Sequence, residues 1–194
     1  MKRRTFIAGL GATSLSALVS KVAMGVSYST DQKTSARFLR PPGALAADDF
    51  ESRCIRCGQC GESCPNHCIR YFGLENGLAS LDTPYIIPRE QACILCMKCG
   101  DVCPTDALKK VVRELEPILQ NVHMGKAVVD ENLCLSYQGK TCGVCYRACP
   151  LPDVAIYVGR LEQPHVTDKC VGCGLCERSC IQMPQAIRIM PEYG

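Results

Sequence analysis

The sequence predicts an α+β protein of two tandem small domains, each held together by bound groups rather than by a large apolar core. Three observations indicate this fold class. The chain has 194 residues, 17 of them cysteine, and four similar cysteine runs repeat along it. Aromatic residues make up only 6% of the chain and tryptophan is absent, so the apolar core is thin. Small domains with thin cores are usually stabilised by disulfides or metals.

The four cysteine runs have the spacing of iron–sulfur ligands. Motif two reads C-x2-C-x2-C-x3-C-P, the ferredoxin run that holds a [4Fe–4S] cluster. The four motifs comprise Cys54, Cys57, Cys60 and Cys64; Cys93, Cys96, Cys99 and Cys103; Cys134, Cys142, Cys145 and Cys149; and Cys170, Cys173, Cys176 and Cys180. Disulfide scaffolds do not explain such triplets, and zinc sites use paired C-x2-C units. We therefore expect sixteen ligands for four [4Fe–4S] clusters.

Short pieces that suit strands precede three of the motifs, at residues 85–87, 127–129 and 165–166. Strand, cluster loop, short helix and strand, repeated twice, is the layout of a two-cluster ferredoxin-like domain. We place the first such domain at residues 51–108 and the second at 127–194. The connection, residues 109–126, has apolar residues at roughly helical spacing interrupted by Pro117, which predicts a helix or a surface segment.

The pairing of motifs predicts crossed ligation, because the fourth cysteine of such a run ligates the other cluster of its domain. Cys54, Cys57 and Cys60 then take Cys103, while Cys93, Cys96 and Cys99 take Cys64. Cys134, Cys142 and Cys145 take Cys180, while Cys170, Cys173 and Cys176 take Cys149. The alternative is a nested arrangement, in which motif one pairs with motif four and motif two pairs with motif three.

Two cysteines leave their roles open. Motif three spaces its first pair as C-x7-C, so Cys134 either reaches the site through a longer loop, which costs little entropy, or is spare beside a [3Fe–4S] cluster. Cys68 is the seventeenth cysteine and lies four residues after Cys64, as Ala107 lies four after Cys103. It is either a ligand or redox thiol, or a small buried residue packed against a cluster, and we favour packing.

The clusters indicate electron transfer rather than catalysis. Iron with four cysteine ligands per cluster has no open site for substrate, and we find no catalytic residues, phosphate loop or dinucleotide fingerprint.

The net charge of the chain is +3. Without the four basic residues Lys2, Arg3, Arg4 and Lys21 of the N-terminal segment, the rest of the chain has 18 basic and 19 acidic residues. Nothing in this balance favours nucleic acid as a partner.

The N-terminus reads as a targeting segment followed by a linker. Residues 1–25 carry a twin-arginine pattern and a short apolar stretch, which predict export in the folded state to the periplasm, with cleavage or a retained membrane tether both open. An ordinary helix with a basic start is the alternative. Residues 26–50, rich in proline, glycine and serine, are expected to form an extended linker.

Several stretches resemble the MauM/NapG family of ferredoxin-type proteins. They are the twin-arginine start, RPPGA at 40–44, CIRCGQC at 54–60, GL at 77–78, TPY at 83–85, the C-x7-C insertion and CGVCYRACP at 142–150. The resemblance implies a periplasmic protein with four [4Fe–4S] clusters. Its NapG branch passes electrons from quinol, with a polytopic membrane partner, towards periplasmic nitrate reductase, and its MauM branch accompanies methylamine utilisation.

Three hypotheses follow for the function. The first is an electron-transfer subunit, not itself an enzyme, between a membrane quinol-oxidising protein and a periplasmic redox enzyme. The second is an accessory or maturation ferredoxin for a periplasmic enzyme such as methylamine dehydrogenase. The third is an iron–sulfur subunit of another respiratory oxidoreductase.

Overall fold

The computed structural model describes residues 38–192, and the predicted signal at 1–25 lies outside them. The described part mixes short helices with short strands. The helices are α1 Ala47–Arg53, α2 Gln59–Glu62, α3 Lys98–Asp101, α4 Leu115–Asn121, α5 Val144–Ala148 and α6 Leu175–Ser179. The strands are β1 Ile69–Tyr71, β2 Pro84–Ile86, β3 Gly125–Val129, β4 Ile156–Val158, β5 Pro164–Val166 and β6 Ile187–Pro191.

The strands form antiparallel pairs that repeat between the two halves of the chain. In the second half, β4 and β5 form an inner hairpin and β3 pairs with β6 in the register Ala127 to Ile189. In the first half, β1 and β2 form the inner hairpin, and the outer pair is reduced to one antiparallel bridge between Ala44 and Leu108. The strands predicted before motifs two, three and four are confirmed as β2, β3 and β5.

A left-handed residue precedes the short helix of every cysteine motif. Gly58, Gly143 and Gly174 occupy this position before α2, α5 and α6, with φ between 56° and 86°. Before α3 the position holds Met97, with φ of 64°, which a residue with a Cβ adopts at a cost of about 1–2 kcal/mol. The turn reverses the chain between the second and third cysteines, so their side chains face the same interior.

The described part of the predicted linker is packed, not extended into solvent. From residue 38 onwards, Leu39 pairs with Ile86, and the side chains of Leu39 and Phe50 are buried. Residues 47–50 begin helix α1 rather than ending a linker, because Phe50 is apolar and fills the core. The remainder, 26–37, lies outside the described residues.

The two halves share one apolar core. Residues from both halves, including Leu95, Met97, Val171 and Ile187, belong to the same buried cluster. The predicted connection runs through this core as helix α4, in which Pro117 is tolerated because it stands in the first turn. Among residues 38–192, no helix is long and apolar enough to cross a membrane.

Candidate functional site

Four cavities lie under the cysteine loops, and each is lined by cysteines of two motifs. We name each cavity after the motif that gives it three cysteines. Cavity I is lined by Cys54, Cys57, Cys60 and Cys103; cavity II by Cys93, Cys96, Cys99, Cys64 and Cys68; cavity III by Cys134, Cys142, Cys145 and Cys180; and cavity IV by Cys170, Cys173, Cys176 and Cys149. All sixteen predicted ligands are therefore brought together in fours.

This grouping corresponds to the crossed pairing and not to the nested one. The fourth cysteine of each motif lines the cavity of its neighbour within the same half. Cys134 lines cavity III despite the C-x7-C insertion, so the longer loop does not remove it from the site. Which sulfurs bind iron stays a prediction.

The cavities suit a polynuclear group held by sulfur. Cavities I, III and IV are similar in size, and cavity II is smaller. None of the 17 cysteines forms a disulfide. Within residues 38–192, no three His, Cys, Asp or Glu side chains lie close enough together to hold a single metal ion. A zinc ion with sulfur bonds of about 2.3 Å needs such a tight set, whereas several bridged irons span a wider gap.

Burial makes several of the free thiols weaker acids by raising their pKa. It raises the pKa of Cys99 and of Cys173 to about 12, and that of Cys145 to about 11. Thiolates are the form that binds metal, and a bound metal reverses this tendency by deprotonating its ligands. Loading the cavities with iron therefore releases protons from buried thiols.

Backbone amides donate hydrogen bonds to the cysteine sulfurs. The N–H groups of Leu95, Leu108 and Leu151 lie 3.4, 3.5 and 3.4 Å from the Sγ atoms of Cys93, Cys103 and Cys149 respectively. Such bonds favour the more negative, reduced form of an iron–sulfur cluster and so tune its potential.

The hydroxyl of Tyr71 fixes the loop of motif one. It donates to the carbonyl oxygen of Gly58 at 2.6 Å and accepts from the N–H of Gly61 at 2.9 Å. Burial and the neighbouring Cys60 raise the pKa of this hydroxyl, so it stays protonated and keeps its role as donor.

Cys68 occupies in cavity II the position that alanine occupies in the others. Ala107, Ala186 and Ala155 line cavities I, III and IV, and each precedes an aliphatic residue as Cys68 precedes Ile69. Ala107 lies four residues after Cys103, as Cys68 lies four after Cys64, whereas the other two alanines lie six residues after the last cysteine of their motifs. A hydrogen bond with Cys93, and another with Cys64, lower the pKa of Cys68 to about 7. The side chain is 3% exposed, as the packing interpretation expects.

Cavities II and IV meet at the junction between the two halves. The N–H of Cys93 donates to the carbonyl oxygen of Cys173 at 2.9 Å. The guanidinium of Arg89 donates to the carbonyl oxygens of Arg178 and Cys180 at 2.9 and 3.1 Å. In return, the guanidinium of Arg178 donates to the carbonyl oxygen of Glu90 at 2.7 Å. This reciprocal pair of contacts, the arginine clasp, joins motif two to motif four.

Three functional residues were missed by reasoning from the sequence. Arg89 and Tyr71 act on backbone atoms, and no spacing rule identifies such partners before the fold is known. Ser136 lines cavity III from within the C-x7-C insertion. The only signal for it was the insertion itself, which moves a hydroxyl next to a cysteine motif.

Comparison with known proteins agrees with this geometry. Residues 53–107 match the model of a 4Fe-4S dicluster domain, and residues 167–180 match that of a 4Fe-4S binding domain. These matches and the cysteine cavities define a ferredoxin-type iron–sulfur protein with an electron-transfer role.

Curated relatives then give the family. The chain is 37% identical to the methylamine utilization ferredoxin-type protein MauM of Methylorubrum extorquens, over 98% of this chain and 89% of the relative. It is 39% identical to the ferredoxin-type protein NapG of Escherichia coli, over 97% and 85%. It is 36% identical to MauM of Paracoccus denitrificans, over 98% and 84%. The chain belongs to the MauM/NapG family of ferredoxin-type proteins.

Proposed function

We propose that this protein is a periplasmic electron carrier with four [4Fe–4S] clusters. It takes electrons from a membrane quinol-oxidising partner and passes them towards a periplasmic reductase of the nitrate-reductase type. The single observation that carries this proposal is the set of four cavities, each lined by three cysteines of one motif and the fourth cysteine of the other motif in the same half. Each cluster supplies one-electron redox chemistry, and the chain supplies its ligands, its amide hydrogen bonds and its shielding from water.

The contacts between cavities support an order I–II–IV–III for electron flow. Helix α2 packs against α3, which brings cavities I and II together, and α5 packs against α6, which brings III and IV together. The hydrogen bond from Cys93 to Cys173 joins cavities II and IV. Cavities I and III then lie at the two ends, where Ile55 and Ile181, each lining its cavity, are more than 60% exposed.

The ends of this path are where redox partners dock. Cys57, which lines cavity I, is exposed, so a group bound there lies close to solvent. The protein itself has no substrate site under this proposal and acts only between its partners. The twin-arginine pattern in residues 1–25 supports export of the folded, cluster-loaded chain, with a peripheral membrane association.

Anaerobic purification and redox titration test the proposal. Material from the periplasmic fraction should carry about sixteen irons per chain, and membranes supplied with quinol should reduce its clusters. Clusters that no quinone-pool donor reduces, or a chain with far fewer irons, would overturn it. Location is tested separately by replacing Arg3 and Arg4 with lysine, which should retain the protein in the cytoplasm with its clusters intact.

A second candidate is an accessory ferredoxin for the maturation of a periplasmic enzyme. It is favoured by the similar identity of the chain to relatives named for methylamine utilization. Deleting the gene distinguishes the two candidates. Loss of electron flow to a pre-assembled enzyme supports the carrier, whereas normal flow with failure only of newly made enzyme supports maturation.

A further inference from the structure

Ser136 is buried without a hydrogen-bond partner for its side chain. Its side chain and backbone together are only 1% exposed. Within residues 38–192, its Oγ is the one buried side-chain nitrogen or oxygen atom that makes no hydrogen bond to the protein. A buried hydroxyl without a partner costs about 1–3 kcal/mol, so such an atom calls for an acceptor that the protein alone does not provide.

Ser136 lies at a cavity in which such an acceptor would be bound. The residue lines cavity III together with Cys134, Cys142, Cys145 and Cys180. Its backbone is fixed there, because its carbonyl oxygen accepts from the N–H of Gly139 at 3.3 Å and from Nε2 of Gln163 at 3.4 Å. The residue is therefore held in the wall of the cavity that also contains the four cysteines, while its hydroxyl makes no hydrogen bond to their sulfurs.

We propose that the Ser136 hydroxyl donates a hydrogen bond to a sulfur of the cluster bound in cavity III and thereby raises that cluster's reduction potential. The inference rests on the proposed function, since it requires a cluster in this cavity. A hydroxyl is both donor and acceptor, and electron-rich cluster sulfur accepts. The bond strengthens when the cluster gains an electron, because the acceptor becomes more negative, so it favours the reduced form.

The insertion in motif three places a hydroxyl between the first and second cysteines of that motif. Motifs one, two and four have only two residues between their first and second cysteines, and these are Ile55 and Arg56, Ile94 and Leu95, and Val171 and Gly172. None of them carries a hydroxyl. At the other end of the path, hydroxyls of Tyr71 and Thr105 lie 3.9 and 3.8 Å from the Sγ atoms of Cys60 and Cys103. Those hydroxyls contact cysteine sulfurs in the protein itself, whereas the Ser136 hydroxyl is left for a sulfur of the bound group.

The test compares Ser136→Ala with Ser63→Ala in the full, cluster-loaded chain. The control hydroxyl of Ser63 also lies in a cysteine motif, but it donates to the carbonyl oxygen of Cys60 at 3.1 Å. Potentiometric titration followed by electron paramagnetic resonance should show one cluster of Ser136→Ala shifted to lower potential. A tenfold change in the equilibrium constant of reduction, about 59 mV for one electron, is expected. Iron content and the other three potentials should be unchanged, and Ser63→Ala should shift none.

Several results separate failure of the inference from failure of the proposed function. A wild-type chain without four clusters would overturn the proposed function and the inference together. Four wild-type clusters whose potentials are all unchanged in Ser136→Ala would overturn the inference alone. Should the alanine variant lose iron, Ser136→Thr decides, because threonine keeps the hydroxyl donor and cannot bind iron as a thiolate. A potential close to that of the wild type in this variant supports the hydrogen bond, and a downward shift as large as that expected for alanine contradicts it.

Discussion

The Sγ atoms of Cys64 and Cys68 lie 3.6 Å apart in the buried wall of cavity II. Both sulfurs face the same cavity, yet only Cys64 is followed by proline, as are Cys103 and Cys149 in the neighbouring motifs. In this contact, Cys64 stands where a cluster ligand is expected, and Cys68 stands where another motif has a packed alanine.

Replacing Cys68 by alanine is expected to leave all clusters in place. The other three cavities have an alanine in their lining before the aliphatic residue that corresponds to Ile69, so the loss of one buried sulfur costs packing but no ligand. The matched variant Cys64→Ala should lose at least about one iron per chain, because a cavity with three motif cysteines holds no more than a [3Fe–4S] cluster. Iron analysis of both variants checks this, and loss of iron from Cys68→Ala with retention in Cys64→Ala would reverse the assignment.

Breaking the arginine clasp is expected to loosen the junction between the halves. Arg89→Gln removes charge-assisted donors to two carbonyl oxygens near motif four, and we expect about 1–2 kcal/mol of lost stability. Magnetic coupling between the reduced clusters of cavities II and IV should also weaken, since their separation is no longer fixed. Electron paramagnetic resonance and guanidinium unfolding under anaerobic conditions measure the two effects.

The control for this variant is Arg188→Gln. Arg188 is exposed and donates locally to the carbonyl oxygen of Gln185 at 3.3 Å. It should change neither the coupling nor the unfolding midpoint by much. Equal effects in both variants would mean that Arg89 acts through charge alone and not through the junction.

A methyl group at Gly174 is expected to force the halves apart. Gly174 and Gly139 share a φ of +86°, so alanine meets the same backbone strain of about 1–2 kcal/mol at either position. At Gly174 the new Cβ would stand 2.5 Å from Cβ of Pro88 in the other half, while at Gly139 it meets nothing within 4 Å. Gly174→Ala should therefore be less stable than Gly139→Ala by a further 1–3 kcal/mol or so.

The denaturant midpoints of the two glycine variants are measured on cluster-loaded protein. The difference between them gives the cost of the clash with Pro88, because the backbone strain is the same in both variants. Similar midpoints would show that the backbone near Pro88 yields without cost. A loss confined to Gly174→Ala, together with weaker coupling between cavities II and IV, would locate the damage at the junction.

Removing iron is expected to unfold the chain. Among the described residues, the buried core includes many of the cavity-lining cysteines themselves, such as Cys93, Cys99, Cys173 and Cys176. Without metal these sulfurs have weak packing partners and the strands are only three to five residues long. Circular dichroism after anaerobic chelation should show loss of helix and strand signal, and iron with sulfide should restore it. A chelated chain that keeps its native spectrum would contradict this.

The cysteine spacing was enough to predict which residues gather together, because ligand geometry imposes that spacing on the chain. The crossed grouping of Cys64 with motif two and Cys103 with motif one followed from the same rule. The strands were predicted from β-branched pieces next to the motifs. These features are local, so the sequence alone contains them.

The contacts between the halves could not be predicted in the same way. Arg89 meets carbonyl oxygens of motif four, and a carbonyl has no signature in the sequence. The segment from Leu39 to Phe50 has the composition of a linker, but tertiary burial of two apolar side chains decides its conformation. Ser136 was hidden for a similar reason, since only the fold shows that its hydroxyl lacks a partner.

The crossed sharing of cysteines also determines the order in which the cavities become complete during translation. Cavities I and II are complete once Cys103 has been made, while cavities III and IV wait until Cys180, near the carboxyl terminus. A ribosome-bound chain can thus receive clusters in cavities I and II while its second half is still untranslated. A message truncated after motif three would yield a front portion with both of its cavities, followed by the three cysteines of cavity III without Cys180 and by Cys149 alone.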